Sequence, residues 1–174
     1  MKITTSSISN VTIFGNHSSL QYPHAWDAKY NDNGIPKSVV QKLDNDHWLK
    51  NTFVDVVRER GHQIIKNKKS ASGCSVAKAI LDHLVMWNYG SQNEIISIGL
   101  ESKGEYGVPD GLFFNFPTKI SDSGTITVDT SIGISDYDKE ILQLNIKELQ
   151  SEKDLALSIV QEVLEPKLLK NKNK

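Results

Sequence analysis

Apolar positions recur in distinct rhythms along the chain. Val11-Thr12-Ile13-Phe14 is a short apolar run ending at Gly15, which predicts a strand over residues 10–15 opening into a turn. Residues 22–35 are loop-like, with Asn31-Asp32-Asn33-Gly34 as a turn signal. Asp44-Asn45-Asp46 offer acceptors for the first free N–H groups of a helix. On that helix Leu49, Phe53, Val56 and Val57 recur at helical spacing, and Gly61 supplies a stop. A second helix is expected from Ser72 or Ser75. Val76, Ile80 and Leu84 lie on one line of it, Ala77 and Leu81 lie beside them, and Gly90 follows its end. So wide a stripe predicts packing on more than one neighbour.

The middle of the chain changes rhythm. Ile95 to Leu100 alternates in part, Leu112 to Phe116 is aromatic-rich, and Ile126 to Val128 is β-branched. The glycine-containing segments at Gly104 and Asp122-Ser123-Gly124 fit reversals between antiparallel strands. Ser135, with Asp138 three residues on, then opens a long helical pattern through Leu142, Ile146, Leu149, Leu155, Ile159 and Val163, which Pro166 is expected to end. At 1.5 Å per residue such a helix runs ~45 Å, so a bend near Ser151 is expected. The predicted class is α+β: antiparallel strands flanked by about three helices, without the regular alternation of a doubly wound parallel sheet.

With 174 residues, 38% apolar and 24% charged, the chain has the length and composition of one soluble domain with a real core. Twenty basic against 21 acidic residues give a net charge of −1, which makes no global electrostatic case for nucleic acid or an anionic membrane. The domain is read as residues 1–166, followed by a locally basic tail, 167–174, expected to be disordered. The single Cys74 cannot form an internal disulfide and is read as a buried structural thiol. No apolar run approaches the ~20 residues needed to span a bilayer, and the N-terminus has no apolar signal core. A cytoplasmic protein is the expectation.

Chemistry concentrates at His17. A histidine at a strand end, set among Gly15, Asn16, Ser18 and Ser19, faces a cleft and can move a proton near neutral pH. The other histidines, at 24, 47, 62 and 83, have no metal-ligand spacing and read as scattered surface residues; no metal site is predicted. The glycines form neither a GxGxxG nor a P-loop, and no Gly-Xaa-Ser-Xaa-Gly elbow is present. Gly104-Glu105-Tyr106-Gly107 reads as a turn. Arg58 and Arg60, the only arginines, read as solvated helix charges.

The segment Gly15-Asn16-His17-Ser18-Ser19, continued by Gln21-Tyr22-Pro23, closely resembles the active-site histidine segment of cytosolic-type NAD-dependent malate dehydrogenases. Trp48-Leu49, Phe53-Val54, Arg60-Gly61, Ile64-Ile65-Lys66, Ala77-Lys78-Ala79-Ile80, Asp82-His83 and Tyr106-Gly107-Val108-Pro109-Asp110 follow in the order of that family's C-terminal half. The resemblance implies the α+β C-terminal domain of the lactate/malate dehydrogenase family, with a hairpin of short strands across residues 22–35. It makes His17 the catalytic proton-transfer residue, also beside the cofactor, and Asn16 a substrate contact. In the family a serine-rich helix start faces substrate and nicotinamide. That hydroxyl position falls on Ala71 here, a departure, so Ser72 next to it becomes the substrate- and cofactor-binding candidate; helix N-capping accounts for Ser72 almost equally well. His24 stands where the family usually has an aspartate.

The implied reaction is reversible, NAD-dependent oxidation of malate to oxaloacetate. The implied arginine clamps, the aspartate that orients the histidine and the NAD-binding glycines belong to a preceding N-terminal Rossmann half of ~150 residues, about one domain, absent from this sequence. The chain alone is therefore expected to be inactive. Association as a homodimer, through the helix beginning near Ser72, or with a separate dinucleotide-binding half is implied. The alternative is a noncatalytic dimerisation partner that keeps the fold.

Overall fold

The computed structural model describes residues 3–171. Eight short strands make three antiparallel sheets: β1 (Ile8–Ser9), β4 (Lys29–Asp32) and β5 (Ile35–Ser38) in the order β1-β4-β5; β2 (Thr12–Phe14) with β3 (Tyr22–His24); and β6 (Ile96–Glu101), β7 (Phe113–Ile120) and β8 (Ile126–Val128) in sequence order. Around them lie α1 (Val39–Leu43), α2 (Val54–Lys68), α3 (Gly73–Tyr89) and α4 (Asp136–Asn171), with a π-helical stretch, Trp48–Phe53, leading into α2. The α+β class holds, with three long helices and one short one.

Side-chain alternation places the core. Thr12 and Phe14 of β2 and every residue of β3 are buried, and Phe14 pairs with Tyr22 across the two strands. Phe14, Phe114 and Phe116 meet Val108, Leu112, Ile132, Leu142 and Ile146 in one cluster. Each fully buried side chain of this size contributes ~2–3 kcal/mol, several times an exposed helix ion pair such as Lys78–Asp82 at ~0.3–0.5 kcal/mol. The core, not surface charge, therefore fixes where β2 ends and where His17 begins.

Local signals behave largely as their chemistry requires. Asn45 Oδ1 accepts from the Trp48 amide at 2.9 Å, the capping expected of that cluster. Ser135 and Asp138 exchange reciprocal bonds at the start of α4: Ser135 N and Oγ donate to Asp138 Oδ2, and Asp138 N donates back to Ser135 Oγ. Residues 22–35 form strands rather than open loop. Asn33 and Gly34, at φ of +54° and +88°, make the two-residue turn that joins β4 to β5.

Four expectations are corrected. Gly61 does not stop its helix: α2 runs on to Lys68, and Lys69 at φ +58° ends it by donating its N–H to the Ile65 carbonyl. A helical glycine costs about 1 kcal/mol against alanine, too little to break a helix with further turns on either side. Pro166 does not end α4, which is one helix to Asn171; an interior proline costs about 3 kcal/mol through a lost donor and a clash one turn back, a cost that can kink a helix instead of ending it. Residues 172–174 of the expected tail lie outside the described residues. Cys74 is exposed, because none of the seventeen residues of α3 is buried. For the same reason the stripe of α3 packs on no core of this chain: Val76, Ile80, Leu81 and Leu84 are all more than half exposed.

Candidate active site

His17 stands two residues beyond a backbone anchor that cannot slide. Gly15 closes a two-way backbone bridge with Asn115 of β7, its N–H donating at 3.2 Å and its carbonyl accepting at 3.1 Å. Asn115 Nδ2 also donates to the Ile13 carbonyl at 2.6 Å. Gly15 has φ +92°, and a Cβ there would collide with the side chain of Asn145, so glycine is required twice over.

Beyond it the loop is held from two sides. From α4, Asn145 Oδ1 accepts the Asn16 N–H at 3.0 Å and its Nδ2 donates to the Leu20 carbonyl at 2.8 Å. From α2, Arg58 donates to the carbonyls of Gln21 at 2.7 Å and Leu20 at 3.2 Å. Arg58 is thus a half-buried clamp on the loop, not a solvated charge; carbonyls at the chain reversal need donors, and a guanidinium offers several in a fixed fork. His17 itself is exposed and lies where two clefts meet. One, of about 330 Å³, is walled by Ile13, Gly99, Phe113, Phe114 and Asn115. The other, of about 440 Å³, runs between the loop and α2, past Val57, Arg58, His62 and Ile65.

The candidate residues divide. His17 and Asn16 line the same cleft. The Asn16 amide, however, donates to the carboxylates of Glu148 and Glu152, both at 3.0 Å, and Ser18 Oγ donates to Glu148 at 2.5 Å. In this arrangement Asn16 ties the loop to α4. Ser72 lies outside both clefts, at the start of α3, and its hydroxyl pairs with that of Ser75. It makes no side-chain cap bond, so the capping account of Ser72 fails here.

His24 is not a surface histidine. It is fully buried beneath Phe14 and Tyr22, and neither ring nitrogen has a hydrogen-bond partner among the described residues. Burial lowers its pKa below the ordinary histidine value, against the opposite pull of Asp138, 4.0 Å away, and of Asp27. Tyr106, from the run Tyr106-Gly107-Val108-Pro109-Asp110, packs against Phe14 and donates its phenol to the Asp129 carbonyl at 2.5 Å. Burial pushes that phenol up to about 12. Both are core groups behind the site.

Among the holders of the loop that the sequence does not point out are Asn145 and Glu148. Asn145 carried one legible signal: it is a polar residue at a stripe position, between Leu142 and Ile146 of a helix whose other stripe residues are apolar. Glu148 carried none, since a glutamate on a long helix is ordinarily solvated.

A helix-flanked antiparallel fold with a histidine loop at its cleft defines a class, and comparison with known proteins names it. Residues 2–160 match the family described as lactate/malate dehydrogenase, alpha/beta C-terminal domain, and the chain belongs to that family. Cytoplasmic malate dehydrogenase of Bos taurus is 39% identical over 160 residues, covering 91% of this chain and 48% of its own length. A probable malate dehydrogenase of Dictyostelium discoideum is 35% identical over 161 residues. Among solved structures, lactate dehydrogenase of Trichomonas vaginalis in complex with NADH and oxamate superposes with a TM-score of 0.82 at 26% identity, covering 90% of this chain and 48% of that one. Malate dehydrogenase of Naegleria fowleri gives 0.79 at 29% identity, covering 90% and 47%. The chain spans about half the length of these relatives. Among the described residues no helix is long and apolar enough to cross a membrane.

Proposed function

We propose that this chain is the C-terminal half of a cytoplasmic malate dehydrogenase and that His17 is its proton-transfer residue. NAD, when bound, supplies the hydride acceptor. His17 takes the hydroxyl proton onto an imidazole nitrogen as malate is oxidised, and returns it to the carbonyl oxygen of oxaloacetate in the reverse direction. The observation that carries this reading is the exposed imidazole at the junction of two clefts, on a loop held at Gly15, Asn16, Leu20 and Gln21. A proton-transfer group needs both access and a fixed place, and this loop supplies both.

The residues fit only part of such a site. Apolar walls at Ile13 and Phe113 suit the flat, weakly polar face of a nicotinamide, while the glycines of the chain form no phosphate cradle. Arg58 is committed to backbone carbonyls, which leaves it unsuited to clamping a substrate carboxylate. The dinucleotide-binding glycines and the carboxylate clamps therefore come from a second half. Oxaloacetate-dependent NADH oxidation is expected from the chain combined with a related N-terminal half and not from the chain alone; turnover by the isolated chain would contradict this division of the site.

One observation favours a second reading, a noncatalytic partner. The apolar stripe of α3 is bare in this chain, as an association surface is. A stable complex with a complementary half that shows no turnover would support it. A homodimer formed through α3 is compatible with both readings.

A further inference from the structure

One side chain outside the histidine motif touches both ends of the loop that carries it. Asn145 is fully buried in the third turn of α4, yet its amide is spent largely on the loop rather than on the core around it. Its oxygen receives the Asn16 N–H, one residue before His17, and its nitrogen reaches the Leu20 carbonyl, three residues after. A second bond from the same nitrogen, to the Ile141 carbonyl at 3.0 Å one turn back on α4, fixes the amide plane. Gly15 leaves no Cβ in the space that this amide occupies.

We infer that Asn145 is the positioning residue for His17: its buried amide spans residues 16 to 20 and sets where the imidazole stands between the two clefts. This rests on the reading of His17 as the proton-transfer group. The physical reason is one of satisfaction. Without that amide the Asn16 N–H, a part-buried donor, loses its acceptor, and the Leu20 carbonyl keeps only the longer bond from Arg58. An asparagine presents a donor and an acceptor in one rigid plane, which a hydroxyl or an aliphatic side chain does not. The loop can therefore keep one conformation while His17 stays exposed. Gly15 and Asn145 act as a pair, since neither position works without the other.

The test is hydrogen exchange and NMR on the full 174-residue chain, carrying Asn145→Leu or Gly15→Ala. Asn145→Leu keeps the branched shape, with somewhat more volume, and removes both bonds to the loop; Gly15→Ala displaces the same amide from the opposite side. Both are expected to speed exchange of the Asn16 amide by about tenfold or more relative to the amides of β7, and to shift the His17 ring resonances. Asn145→Ser gives the same readout if the leucine variant does not fold. Folded variants with Asn16 protected as before and unchanged His17 signals would overturn the inference. So would a uniform loss of protection across the chain, which marks a purely structural role. Removing the His17 ring from the two-half enzyme tests the parent reading separately, because exchange at Asn16 does not depend on catalysis.

Discussion

The phenol of Tyr22 donates to Oδ1 of Asp138 across 2.5 Å, joining β3 to the first turn of α4 inside the core. Burial, reinforced by that carboxylate, holds the Tyr22 proton on far above its ordinary range. The same Asp138 caps α4 through Ser135, so one carboxylate fixes the helix start and the strand that follows the His17 loop.

Tyr22→Phe removes the donor and leaves a buried carboxylate oxygen short of a partner. A loss of about 1.5–3 kcal/mol is expected, the range for hydrogen bonds to charged groups. Urea unfolding of the two chains measures it, and an unchanged midpoint would show that the bond contributes nothing net.

His24 makes stability depend on pH. Its pKa is lowered in the folded chain, with Asp138, Asp27 and Tyr22 as the facing groups, so the unfolded chain takes up the proton first as pH falls. Stability is then fully present above about pH 6.5 and declines below it. His24→Gln should flatten the decline between about pH 6.5 and 5. A chain equally stable at both ends of that window would refute the buried neutral imidazole.

Arg58→Ala strips two donors from the carbonyls of Leu20 and Gln21. We expect a cost of about 1–3 kcal/mol, from carbonyls left without a charged donor, and faster proteolysis in the 16–21 loop. Limited proteolysis followed by mass mapping would locate the new cut; cleavage confined to α3 would assign Arg58 no part in holding the loop.

Ile80→Glu and Leu84→Glu alter side chains that are more than half exposed. Unfolding free energy should move by no more than about 0.5 kcal/mol, as at surface positions, while any self-association through α3 is lost. Sedimentation velocity across a concentration series would show it, and an association constant equal to that of the unmodified chain would remove α3 from the interface.

What was legible in the sequence was what local chemistry decides. The Ile13-Phe14-Gly15 run places the strand end, Ser135 with Asp138 places the start of α4, and the quoted motifs place the family. What was not legible depends on partners far along the chain. Arg58 looks like any helix charge until the carbonyls of Leu20 and Gln21, 38 and 37 residues away, are folded against it. His24 looks like a surface histidine until Phe14 and Tyr22 close over it. Gly61 looks like a stop because its entropy cost is visible in sequence, whereas the ending that wins, Lys69 in the left-handed region, carries no such mark. The stripe of α3 is legible as apolar, but its exposure in this chain is not, because periodicity reports a face and not what covers it.

On the proposed reading, His17 moves the proton in an enzyme assembled from two halves. The measurement that bears on it most directly is the rate of oxaloacetate-dependent NADH oxidation by this chain recombined with the N-terminal half of a related malate dehydrogenase, with and without His17→Ala. Binding of the two halves is followed in parallel. Turnover is expected in the recombined pair, with a loss of about 10²–10⁴-fold on removal of the imidazole and binding of the halves unchanged. Equal turnover with and without the imidazole, in a pair that binds, would contradict that reading.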